Sequence, residues 1–152
     1  MAETRRTDIH RCACTNLRQA ARVVTQAFDH ALTTSGLRIT QLSVLSALAY
    51  FGPKTINELA DAMVLDRTTL GRNLRPLQRD GYVAIEEGKT DRRTRKLVLT
   101  KKGASTAAKA MASWGDAQTR FEHAIGIENA KALLKLLRQV VKADFGIKQA
   151  GA

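Results

Sequence analysis

The run from Leu65 to Thr100 constrains this chain most, because a cationic helix leads straight into a cationic hairpin. Asp66 stands where an N-cap would accept the orphan N–H groups of a first helical turn, ahead of a helix predicted over Arg67 to Arg79. Leu70, Leu74 and Leu77, at spacings of four and three, give that helix a buried stripe, and Asp80-Gly81 ends it. The remaining face offers Arg67, Thr68, Thr69, Arg72, Asn73 and Arg75. Pro76 falls inside the helix and is expected to bend it or loosen its middle turn. Strand-like alternation follows, Val83 and Ile85 within Tyr82–Glu86 facing Leu97 and Leu99 within Lys96–Thr100. The hairpin tip carries Lys89, Arg92, Arg93, Arg95 and Lys96. Such a helix fits the major groove of duplex DNA, and such a loop reaches the backbone or minor groove beside it.

The rest of the chain has to hold this unit. Ile9 to about Thr34 has helical periodicity, with Leu17, Ala20, Ala21, Val24, Ala27, Phe28, Ala31 and Leu32 on one broad stripe. After Ser35-Gly36, Thr40 reads as the N-cap of a second helix, Gln41 to about Tyr50, which Phe51-Gly52-Pro53 closes. Thr55 and Glu58 have capping-box spacing for a short third helix, Ile56 to Met63. Beyond the hairpin, Thr100 caps a helix to about Ala124, and a last helix runs from about Glu128 to Phe145. That order predicts a mostly α fold with a small β component, a winged helix-turn-helix with a two-stranded wing. Residues 1–152 read as a single domain, with the winged module at 40–100 and N- and C-terminal dimerisation helices at 8–35 and 101–146. Ala130, Leu133, Leu134, Leu136, Leu137, Val140 and Val141 exceed what one short helix needs against a small module. Burying them against a second copy makes a symmetric dimer. Two recognition helices roughly 34 Å apart then read a pseudo-palindrome.

A formal charge of +11 favours a polyanionic partner. An enzyme fits poorly: there is no glycine-rich phosphate loop, paired metal motif or nucleophile elbow, and His10, His30 and His123 are scattered. No apolar run approaches the roughly 20 residues of a membrane span, and no hydrophobic segment follows the N-terminal basic residues as a secretory signal would require. Cys12 and Cys14 are too close to staple a fold, which suits a reduced, cytoplasmic compartment. In a helix these two point to nearly opposite sides, while His10 and Cys14 share a face; two ligands fall short of a closed zinc site, so no metal or cofactor is expected. A winged module used for protein contacts would not need the cationic wing and the threonine–arginine face together.

With those residues in view, the chain resembles the MarR family of bacterial transcriptional regulators over nearly its full length. The resemblance is carried by TINELADAMVLDRTTLGRNLRPLQRDGYV, by DRRTRKLVLTKKG and by GLRITQLSVLSAL, which is similar to the family's second helix. The family's wing pattern, D-x-R-x-x-x-hydrophobic-x-L-T, is matched by Asp91, Arg93, Leu97, Leu99 and Thr100, with Gly103 following. The resemblance implies a homodimer on an operator in or near a regulated promoter; the expected function is a repressor acting by steric exclusion. It puts Arg67, Thr68, Thr69, Arg72 and Asn73 at the major groove, with Arg75 a weaker contact. Arg93 falls at the wing tip near the minor groove, and Asp91 steadies the wing by pairing with a nearby arginine. Arginine bonds guanine bidentately, asparagine does so with adenine, and threonine suits phosphate or a thymine methyl. Lys89, Arg92, Arg95 and Lys96 then contribute counterion release and register.

The resemblance also implies a small aromatic or anionic effector between the dimerisation helices and the DNA module, releasing DNA when bound. Candidate contacts are Arg18, Arg22, Phe28, Tyr50, Met111 and Trp114. Cys14 falls where the hydroperoxide-sensing branch of the family keeps its reactive cysteine, making thiol oxidation the alternative signal. That branch surrounds its thiolate with tyrosines, whereas Phe28 and Ile39 stand here and cannot donate a hydrogen bond. The plain reading of Cys14 is a buried small apolar residue or a dimer-contact thiol.

Overall fold

Local caps and apolar spacing account for most of the architecture. The computed structural model describes residues 9–88 and 93–146. Its helices are α1 (Ala13–Ala31), α2 (Ile39–Phe51), α3 (Ile56–Ala62), α4 (Arg67–Arg79), α5 (Lys101–Ile125) and α6 (Ile127–Lys142). Strands β1 (Val83–Glu87) and β2 (Arg95–Leu99) form an antiparallel hairpin between α4 and α5. The fold is mostly α with a two-stranded wing, as the element order predicts. Short 3-10 turns at Ile9–Arg11 and Thr33–Ser35 replace the ends of the longer first helix that periodicity suggested. The last helix stops at Lys142, short of Phe145.

Val44, Leu45, Leu59 and Leu70 are shut off from solvent altogether, and Leu32, Leu74, Leu77 and Val83 join them in one core. Each such side chain contributes roughly 1.5–3 kcal/mol by burial. α2 is the hub, packing against α1, α4, α5 and β2. Along α1, by contrast, the expected stripe is buried only at Phe28 and Leu32. Leu17, Ala20, Ala21 and Ala27 stay exposed in the single chain.

Thr40 does not cap α2. The helix starts at Ile39, two residues before the expected Gln41, and Asp29 near the end of α1 accepts the Ile39 N–H at 2.7 Å while pairing with Arg38 at 3.4 Å. Gln41 Oε1 also accepts the Arg38 N–H at 2.9 Å. A carboxylate from another helix thus supplies what a local hydroxyl would have supplied. α3 follows its sequence rule: Thr55 Oγ1 accepts the Glu58 N–H at 3.2 Å and Glu58 accepts the Thr55 N–H at 2.7 Å.

The turn between α3 and α4 carries backbone strain. Val64 adopts φ +54°, a left-handed conformation that a β-branched side chain disfavours, at a cost on the order of 1–3 kcal/mol. Flanking bonds from Val64 N–H to Asp61 O (3.1 Å) and Leu65 N–H to Ala60 O (2.9 Å) hold it there.

In the wing, Val83 pairs with Leu99 and Ile85 with Leu97, the predicted register. Lys54 anchors the hairpin from its other side, exchanging backbone bonds of 3.2 and 2.7 Å with Leu97. Thr100 caps α5 as expected, accepting the Gly103 N–H at 3.0 Å. Its hydroxyl donates back toward the carbonyls of Gly81 (2.8 Å) and Tyr82 (3.1 Å), so the wing, the end of α4 and the start of α5 meet at one point.

Candidate nucleic-acid interface

α4 is held by its apolar side and presents its polar side. Asp66 caps it, accepting the Thr69 N–H at 2.8 Å and the Thr69 hydroxyl at 2.6 Å. Those bonds, the side-chain one first, hold the Asp66 carboxyl below its usual range. Leu70, Leu74 and Leu77 are buried against the core, which fixes the rotation of the helix about its axis. Arg67, Thr68, Arg72 and Arg75 are exposed, whereas Thr69 and Asn73 are half-buried at the flank. The hydroxyl hydrogen of Thr69 is already committed to Asp66, leaving only its oxygen and methyl for another partner. Among the described residues no carboxylate lies within ion-pair range of Arg67, Arg72 or Arg75. The helix continues through Pro76, which lacks the N–H that would otherwise meet the Arg72 carbonyl one turn back.

Arg79 differs. Its guanidinium binds Asp80 through Nε at 2.8 Å and through a terminal nitrogen at 3.1 Å, which holds the Asp80 carboxyl down. Lys102 of α5 reaches across to the Asp80 carbonyl at 2.8 Å and lies over the Tyr82 ring, 5.1 Å from its centre. Lys102 thus ties the end of α4 to α5, while Arg79 is held within its own turn.

On the wing, Arg93 and Arg95 are exposed and Lys96 is half-buried. Lys89, Asp91 and Arg92 lie outside the described residues, as does the side chain of His10. Register sets Arg95 opposite Glu87 and Lys96 opposite Glu86, an acidic strand that tempers the basic one. Neither pairing was foreseen, although the adjacent Glu86-Glu87 was a readable signal. Glu58 sits nearby, its carboxyl lowered by the Thr55 N–H and hydroxyl and, more weakly, by Lys54 and Lys96.

A cavity of about 810 Å³ opens between α1, α5 and α6. Phe28, Ala117, Phe121 and Leu133 contribute its apolar walls, and Asn16, Gln19, His30 and Arg120 its polar groups. Of the six effector candidates only Phe28 lines it. The α1 residues that do so recur at 16, 19, 20, 23, 24, 27, 28 and 30, so Arg18 and Arg22 fall on the wrong phase of the helix. Tyr50 is 84 % exposed and packs edge-on against Phe51, 4.9 Å between ring centres. Met111 is exposed, and Trp114 packs on the main core.

Both cysteines are free thiols. Cys14 is exposed in the single chain, not buried, because it lies on the outer side of the first turn of α1. Cys12, the N-cap residue, is half-buried; the Thr15 hydroxyl and then its N–H push the Cys12 thiol below the usual range.

No described helix is long and apolar enough to cross a membrane. Residues 35–94 match the model of the MarR family. The Mycobacterium tuberculosis transcriptional regulator MosR is 34% identical, over 90% of this chain and 99% of that one, with a TM-score of 0.75, and it has also been solved in complex with DNA. The transcriptional repressor CouR, solved on a 23-mer DNA duplex, is 26% identical over 89% of this chain and 96% of its own, with a TM-score of 0.80. The transcriptional activatory protein BadR of Rhodopseudomonas palustris is 27% identical over 86% of this chain and 79% of its length. Coverage is shorter for the regulator YwoH of Bacillus subtilis: 32% identity over 85 residues, 56% of this chain and 61% of that protein. The winged fold, the exposed basic α4 and a near full-length match to a DNA-complexed regulator agree: the chain belongs to the MarR family of DNA-binding transcriptional regulators, which is not an enzyme family.

Proposed function

We propose that this chain is a homodimeric, sequence-specific repressor that reads a pseudo-palindromic operator and is released by a small aromatic or anionic ligand. One observation carries the reading. α4 displays Arg67, Thr68, Arg72 and Arg75 to solvent while its other side is locked into the core. Cations with no carboxylate partner among the described residues, set on a rigid helix, suit phosphates and guanine edges. Thr68 and Arg72, one turn apart, lead the base contacts, with Thr69 and Asn73 at the groove's side. Arg93, Arg95 and Lys96, with Lys89 and Arg92, supply phosphate contacts, and Asp91 steadies the wing tip.

Residues 40–100 form the reading unit, and 8–35 and 101–146 the dimerisation helices. Support for the dimer comes from apolar surface that one chain leaves uncovered, with Leu136 57 % and Val141 55 % exposed on α6. Support for the effector comes from the cavity between α1, α5 and α6, where Arg120 and His30 could meet an anion beside Phe28 and Phe121. Such a protein works in the cytoplasm, where it meets DNA. CouR is named a repressor and BadR an activatory protein, so relatives carry either sign. Repression follows from occupying a promoter, and a reporter driven by that promoter tests it.

Binding to the DNA upstream of the chain's own gene, at physiological salt, tests the whole reading. Wild type should prefer that DNA over random duplex, and Arg72→Ala should cost about 1–3 kcal/mol of specific binding. A wild type without preference contradicts it.

Thiol control is a second reading, favoured by the lowered thiol of Cys12 at the start of a dimerisation helix. This reading places the reactive thiol at Cys12, whose Sγ is held below its usual range by the Thr15 hydroxyl and N–H, rather than at Cys14. Peroxide-induced release from DNA should vanish in Cys12→Ser; unchanged release in both Cys12→Ser and Cys14→Ser rejects it.

A further inference from the structure

Gly71 is the fifth residue of α4, inside a helix that must stay rigid to read DNA. Glycine is the poorest helix former apart from proline, so its presence there costs stability. Nothing among the described residues asks for it. Its φ is not left-handed, unlike those of Gly81 (+76°) and Gly52 (+72°). A Cβ at this position meets no atom within 4 Å, unlike one at Gly103, which runs into the Tyr82 backbone. The remaining use of a glycine is to let something outside the chain come close to the backbone.

The neighbours of Gly71 indicate what that is. Arg67 and Arg75 lie four residues to either side, about 6 Å away along the axis, and Thr68 lies three before it. All of these are exposed, so a gap without a side chain sits in the middle of the cationic face. We propose that Gly71 is the point of closest approach between α4 and operator DNA, where a base-pair edge in the major groove rests on bare helix backbone. Gly71 is thereby a specificity-determining residue that acts by leaving space. It sets how deep α4 sits, and so which base edges Arg67, Thr68 and Arg72 reach. The inference rests on the DNA-reading function proposed above.

The test uses the full-length protein and the upstream duplex that wild type selects. Gly71→Ala and Gly71→Leu both restore a good helix former at a site with open space. Each should raise Tm by a few degrees yet weaken operator binding, by at least about tenfold for alanine and more for leucine. Binding to random duplex should hardly change, because the phosphate contacts remain. Unchanged operator affinity in Gly71→Ala overturns the proposal. A lower Tm overturns it too, since that reveals a packing role within the chain. Equal losses on operator and random DNA overturn the assignment to a base edge. Failure of the underlying function is separable: wild type would then show no operator preference, and Arg72→Ala would bind like wild type.

Discussion

Replacing Gly103 with alanine tests how the wing and α4 are fixed to α5. Gly103 lies in the first turn of α5, directly over the Tyr82 carbonyl. An added Cβ would fall inside the van der Waals shell of that oxygen and 2.9 Å from Leu99 Cδ1. The carbonyl cannot simply retreat, because it accepts the Thr100 N–H at 3.1 Å and lies 3.1 Å from the Thr100 hydroxyl. Overpacking costs about 1–3 kcal/mol and each loosened hydrogen bond about 0.5–1.5, against a helix-propensity gain of at most about 1, leaving a net loss near 3 kcal/mol. That is a large share of the roughly 5–15 kcal/mol typical of a folded domain. Urea unfolding at one fixed protein concentration measures it, since the stability of the proposed dimer would depend on concentration. The midpoint should drop sharply for Gly103→Ala. A variant as stable as wild type would show that α5 and the wing are not locked at this point.

Three further outcomes are expected. Val64→Gly relieves a left-handed β-branched residue and should leave stability unchanged or raise it by up to about 1 kcal/mol in the same unfolding assay; a clear loss would mean the valine side chain has a packing role. The carboxyls of Glu58, Asp66 and Asp80 are all lowered in the folded chain, so their contribution is present above the ordinary carboxylate range and is lost as pH falls through the folded values. Unfolding midpoints should therefore hold from neutral pH to about 4 and fall below it, less steeply in Asp66→Asn; a flat acid limb contradicts this. Arg95→Ala should reduce the salt dependence of DNA binding by roughly one phosphate's worth without changing sequence preference, whereas a changed preference would make Arg95 a base contact.

What was legible in the amino-acid order depended on distance along the chain. The caps at Thr55, Asp66 and Thr100 were readable because donor and acceptor lie three residues apart. Wing register was readable because alternation has a period of two and one slip would turn Leu97 outward. The cap of α2 was not, since Asp29 is ten residues from Ile39 and reaches it only after α1 and α2 pack. Arg18 and Arg22 carry suitable charge, yet the phase of α1 turns them from the cavity that Val24 and Phe28, four residues apart on one face, help to line. The exposure of Cys14 and of much of α1 and α6 also escaped local rules, because apolar spacing marks a face for burial without saying whether the same chain or a second copy covers it.

Guanine N7 methylation protection on the upstream DNA tests the central claim most directly, because it reports major-groove occupancy base by base. A homodimer with α4 in the groove predicts two protected patches, related by two-fold symmetry and about one helical turn, roughly 34 Å, apart. Both should disappear together in Arg72→Ala. A single patch, or firm binding with no protected guanine, would contradict an account in which two copies of α4 read the operator.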